Sequence, residues 1–98
     1  MALEFDFPPA ELERRVVMHE GGVDGATAAA LVELAGRVRR LHDRGLAEVP
    51  SSRLLVATAR LIAGGISPVQ AARVALMGPL TDDPDLLAAI GDLITATF

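Results

Sequence analysis

Pro50-Ser51-Ser52-Arg53-Leu54-Leu55-Val56-Ala57-Thr58-Ala59-Arg60-Leu61-Ile62-Ala63-Gly64-Gly65 has the make-up of a short apolar helix with both ends marked. Serines at the start can accept from free backbone N–H groups, and a glycine past the last turn can take the left-handed conformation that ends a helix. Arg53 is the exception. A cation in the first turn opposes the helix dipole at a cost of roughly 0.3–1 kcal/mol, so local helix stability does not explain it. An anion would, because the same helix end offers N–H groups to one. Arg60 follows one heptad later, so both arginines project from a similar side.

Around this helix the chain is that of one all-α domain. Its 98 residues suit a single compact unit, and a chain of this size buries roughly 60–70% of its unfolded surface. Hydrophobic residues make up 51% of the sequence and the mean hydropathy is +0.39, which excludes disorder. Phe5, Phe7 and Phe98 are the only aromatics, so the core must be built from Leu, Val, Ile and Ala. Such a composition favours helices. All 9 basic residues are arginine, and the net charge of −4 argues against nucleic acid and acidic membranes as partners. No segment reaches the ~20 apolar residues that span a bilayer. Glu4 and Asp6 stand where a signal peptide would be basic. The absence of cysteine rules out disulfides and fits a reducing compartment, so the expected location is the cytoplasm.

From its start the chain falls into an extended segment (residues 1–8) and a helical domain (9–98). Leu3-Glu4-Phe5-Asp6-Phe7 alternates apolar and acidic residues, the period of a strand. It has no second strand to pair with, so its sheet must lie elsewhere or the segment is an unstructured terminus. Pro8-Pro9 opens a first helix to about His19, with Leu12, Val16 and Val17 as its apolar stripe and Gly21-Gly22 as its stop. Asp24 caps the longest helix, about Gly25 to Asp43, whose stripe is Leu31, Leu34, Ala35, Val38 and Leu41. Arg37, Arg39, Arg40, His42 and Arg44 crowd its end and read as a solvated cluster matched to the dipole, with a partner or phosphate contact as the other reading. Gly45 closes that helix. In the organising helix, about Ser52 to Ala63, Leu54, Leu55, Leu61 and Ile62 form the buried face. Ser67-Pro68-Val69-Gln70 is a capping box for a fourth helix, to about Met77, which breaks at Gly78-Pro79. Thr81-Asp82-Asp83-Pro84 starts the fifth, lined by Leu86, Leu87, Ile90, Leu93 and Ile94. The acidic group at this start is explained by the helix N-terminus, though it could also meet a cation or a partner's arginine.

No constellation for independent catalysis is present. There is no Gly-x-x-x-x-Gly-Lys-Ser/Thr loop, no Gly-x-Ser-x-Gly, no His-Glu-x-x-His and no cysteine nucleophile. Two isolated histidines give no metal spacing. Leu54–Ala63 and Val69–Met77 have helix-turn-helix lengths, but the second helix offers only Gln70 and Arg73 to DNA. The chain is not an enzyme on its own.

At Ser51-Ser52-Arg53-Leu54-Leu55-Val56, and more specifically at Pro79-Leu80-Thr81-Asp82-Asp83-Pro84-Asp85, the sequence resembles the C-terminal part of the CbbQ/NirQ/NorQ ATPases, a branch of the MoxR group of AAA+ proteins. The resemblance covers essentially the whole chain. Leu3 to Val17 is similar to the last core strand and the Pro-x-x-Glu approach to the lid. Arg60 to Ala75 is similar to the next two lid helices. It implies a small bundle of about five helices, the AAA+ lid, packed on a nucleotide-binding core within ring hexamers of neighbouring subunits. It implies that Arg53 is the sensor-2 arginine reaching the phosphates of ATP, held with Mg2+ in the full-length parent, with Ser52 beside it. A surface ion pair is the alternative role for Arg53. Thr81, Asp82 and Asp83 become candidate interaction residues. Family partners carry a von Willebrand factor A domain, and the targets are metalloenzymes such as Rubisco or nitric oxide reductase. Walker A and B, sensor 1 and the arginine finger are expected upstream of Met1, so this chain alone should not hydrolyse ATP. Ser52 stands where the family commonly has threonine, which keeps the hydroxyl. A free-standing helical protein–protein interaction module is the alternative reading.

Overall fold

The computed structural model describes residues 9–41, 50–77, 80–81 and 83–98. Among these there is no strand. The elements are α1 (Ala10–Gly21), α2 (Gly25–Arg40), α3 (Ser52–Ala63), α4 (Pro68–Ala72), which widens into π-helical turns over Arg73–Met77, and α5 (Pro84–Thr97). The expected strand at Leu3–Phe7, the closing Gly45 and the Gly78-Pro79 break lie outside the described residues.

Short polar side chains start the helices where the sequence places them. Asp24 Oδ1 accepts from the Thr27 N–H at 2.8 Å, Ser51 Oγ from Leu54 at 3.2 Å and Ser67 Oγ from Gln70 at 3.3 Å. Asp83 Oδ1 accepts from both Asp85 and Leu86. The capping box at Ser67 is only half made, because the Gln70 side chain returns no bond to the Ser67 backbone. Gly22 (φ 76°) ends α1. Gly65 (φ 108°) ends α3, with the Ile66 and Gly65 N–H groups bonded to Leu61 and Ile62 carbonyls; this pairing is the Schellman arrangement. The α2 helix runs to Arg40 with Leu41 as its C-cap; the expected end near Asp43 lies outside the described residues.

Two apolar clusters share α2. On one side Ala28, Leu31, Val32 and Ala35 pack with Val17 of α1 and with Leu55 and Ala59 of α3. On the other, Leu34 and Val38 pack with Ala72, Leu76, Leu80, Ile90 and Ile94. The molecule is a slab of about 32 × 32 × 19 Å.

Two expectations of burial are corrected. In α1 the inward line is Glu13–Val17–Gly21, while Leu12 is 51% exposed and Val16 only half-buried. The crossing with α3 sets this roll. Gly21 lies against Ala59 so closely that a Cβ on Gly21 would overlap the Ala59 methyl, and only the line ending in glycine permits that approach. In α3 the buried residues are Leu55, Thr58 and Ala59, whereas Leu54, Leu61 and Ile62 are half-buried. Thr58 is tolerated inside because its hydroxyl donates to the Leu54 carbonyl at 2.8 Å.

Candidate functional site

Everything at the site is set by how the first turn of α3 is held. Ser51 is the N-cap, which makes Ser52 and Arg53 the first two helical residues. Their backbone N–H groups precede the first intrahelical acceptor and have no acceptor among the described residues. Below them lies a buried ion pair. The Arg39 guanidinium donates Nη1–H to Glu13 Oε1 at 3.0 Å and Nη2–H to Glu13 Oε2 at 2.7 Å. The Glu13 side chain is 1% exposed and that of Arg39 13%. Ser52 Oγ donates to Glu13 Oε2 at 2.7 Å, and Arg39 Nε donates to the Pro50 carbonyl at 3.0 Å. Burial pushes the Glu13 carboxyl up, but the bonds from Arg39 and Ser52 and the arginine's charge outweigh it and hold the carboxyl below its ordinary value of 4.5.

This overturns the reading of Arg39 as one of a solvated cluster at the end of α2. Arg37 pairs with Glu33 on the surface at 2.8 Å, and Arg40 is exposed, but Arg39 turns inward because a buried carboxylate and a carbonyl await it. His42 and Arg44 lie outside the described residues. The sequence carried a signal for the buried carboxylate but none for its partner. Glu13 falls on the same helical line as Val17 and Gly21, and a charge on a buried line calls for a partner.

Arg53 stands exposed above this floor and makes no hydrogen bond or ion pair among the described residues. It lines an open cleft of about 330 Å³ with Val16, Glu20, Ser52, Val56, Ala57 and Arg60. The two arginines therefore do share a side of α3. Arg60 Nε donates to the Glu20 carbonyl at 3.1 Å, which ties α3 to the C-terminal turn of α1. Ser52 also reaches the cleft, but its one hydroxyl proton goes to Glu13. A phosphate there would meet the Ser52 backbone N–H and the Arg53 side chain. To an anion the cleft offers one guanidinium unpaired among the described residues, a second nearby and a helix N-terminus, against a single carboxylate, that of Glu20.

The acidic start of α5 is elsewhere. Thr81 Oγ1 accepts from the Asp83 N–H at 3.0 Å and Asp83 caps the helix, so both serve the local turn and neither lines the cleft. Asp82 lies outside the described residues. Among the described residues no three His, Cys, Asp or Glu come together as a metal site, and no helix is long and apolar enough to cross a membrane.

Fold and site together define a small all-α domain that presents an arginine-lined cleft at a helix N-terminus. The family model described as CbbQ/NirQ/NorQ C-terminal matches residues 13–97, and the chain belongs to this family. It is similar to the protein CbbQ of Hydrogenophilus thermoluteolus, 52% identical over 89 residues, covering 91% of the chain and 33% of that protein. It is 45% identical over 98 residues to the denitrification regulatory protein NirQ of Stutzerimonas stutzeri, covering 100% of the chain and 36% of NirQ. It is 39% identical over 98 residues to NorQ of Paracoccus denitrificans, again covering 100% of the chain and 36% of that protein. The chain spans about a third of the length of these relatives.

Proposed function

We propose that this chain is the helical lid of an AAA+ ATPase of the MoxR group, in which Arg53 acts as the sensor-2 arginine. The exposed Arg53, unpaired among the described residues at the first turn of α3, carries this reading. A guanidinium held beside free N–H groups fits the phosphates of ATP, with the Ser52 backbone as second donor. ATP, with its Mg2+, supplies the hydrolysable phosphoanhydride; this chain's part is to close over it and to neutralise phosphate charge. The Walker residues would come from a core on which the lid packs, in a ring of like subunits. The assembled protein would activate or remodel a metalloenzyme together with a von Willebrand factor A domain protein, and it would work in the cytoplasm. Membership of the CbbQ/NirQ/NorQ C-terminal family supports this reading, as does the denitrification regulatory name of NirQ.

The test is Arg53→Ala in the full-length ATPase that carries this chain. Arg53 is exposed, so the fold and Tm should be little changed. Turnover should fall by on the order of a hundredfold, the loss expected when one charge-stabilising donor is removed. Equal turnover by wild type and variant would overturn the role.

A further inference from the structure

The Glu13–Arg39 pair does more than fill a gap between helices. Arg39 binds the Pro50 carbonyl, Glu13 binds the Ser52 hydroxyl, and the two are joined by a bidentate ion pair. With the short backbone run Pro50-Ser51-Ser52 this makes a closed ring across α1, α2 and the start of α3. The residues on both sides of the N-cap are therefore fixed to a buried charge pair, and Arg53 is the next residue along. We infer that Glu13 and Arg39 are positioning residues for Arg53, acting through Ser52 and Pro50 to set the direction in which the α3 N-terminus meets a phosphate.

This inference rests on the sensor-2 reading. Glu13, at 1% exposure, is out of reach of any ligand in the cleft. The hydroxyl of Ser52 has its proton directed inward, so its service to the site is structural. Loss of the ring would leave Arg53 present, charged and exposed, but on a helix start free to shift. Because an arginine must be placed to a fraction of an ångström to stabilise charge at a reacting phosphate, such a shift should cost rate rather than binding. The ring also gives the Ser52 hydroxyl a role distinct from that of Ser51, which caps the helix. Either serine or threonine would serve.

The experiment is a double-mutant cycle in the full-length ATPase, using Glu13→Gln, Ser52→Ala and Ser52→Thr, each alone and with Arg53→Ala. Glu13→Gln keeps the shape of the side chain. Ser52→Ala removes only the bond from α3, so it keeps the test open should Glu13→Gln fail to fold. Each of these two should lower kcat by about 10-fold or more with KM for ATP little changed, while Ser52→Thr, which keeps the hydroxyl, should lower kcat much less than Ser52→Ala. On the Arg53→Ala background neither should lower kcat further, because the residue through which they act is gone. If Arg53→Ala lowers kcat but the ring variants lower Tm alone, or lower kcat as much on the Arg53→Ala background as on wild type, the positioning role is overturned and the sensor-2 reading stands. Should Arg53→Ala leave turnover unchanged, the sensor-2 reading falls and the inference with it.

Discussion

Glu13 is a carboxylate taken almost wholly out of water, and it is stable there because three donors replace the water it lost. Removing one partner of such a pair costs roughly 3–5 kcal/mol, since the other charge is left buried and unmatched. The same bonds set the pH dependence. Burial alone would raise the Glu13 carboxyl, but Arg39 and Ser52 win and hold it below 4.5. The Asp24 carboxyl is lowered as well, by the Thr27 N–H that it caps. A carboxyl lowered in the fold adds stability above its unfolded value and loses it as the pH falls through its folded one. Thermal melts of the 98-residue chain should therefore be level from about pH 7 to about pH 5 and fall below that. Glu13→Gln should melt lower at neutral pH, and the gap to wild type should close in acid as Glu13 itself becomes neutral. A gap that stays constant with pH would show that the charge is not what matters. Arg53 was legible in the sequence because its oddity is local, a cation at the wrong end of a helix. The floor beneath it was not, because Glu13 and Arg39 stand 26 residues apart and no local pattern pairs them.

Helix starts are written in the sequence at short range, and all four polar caps fall where the sequence places them. How the helices roll is a different matter. Leu12 looks like a core residue on α1 yet is exposed, because the roll is decided by the approach of Gly21 to Ala59 on another element. A close crossing leaves a mark only as one glycine among 9 in the chain. Restoring a side chain there should show its worth. Gly21→Ala puts a methyl into the space of the Ala59 methyl, and such overpacking costs about 1–3 kcal/mol. At about 4–8 °C per kcal/mol for a domain of this size, the melting temperature should drop clearly. Ala59→Gly added to Gly21→Ala should recover part of the loss, because it vacates the contested space, whereas Ala59→Gly alone should destabilise. A double variant no better than Gly21→Ala would mean that the crossing is not limited by these two residues.

Across the molecule, α2, together with the packing of α3 on α4 and the π-helical turns, decides whether the domain acts as one body. Leu31 belongs to the cluster shared with α1 and α3, and Leu34 and Val38 belong to the cluster shared with α5 and the π-helical turns. A helix cannot turn one face without turning the other, so the two clusters should melt together. That matters for the proposed function, because a lid that reports nucleotide state from Arg53 to a neighbouring subunit must carry a displacement of α3 through to α5. Leu31→Ala and Leu76→Ala test the point from opposite sides. Both residues are fully buried, and each truncation should cost roughly 2–5 kcal/mol. If the core is one cooperative unit, each variant should lower a single transition, with helix content and amide exchange falling together. Protection in α1 and in α5 should then drop equally in either variant. If Leu76→Ala frees α5 while α1 and α3 keep their protection, the domain is two units joined at α2. A signal from Arg53 would then stop at that helix.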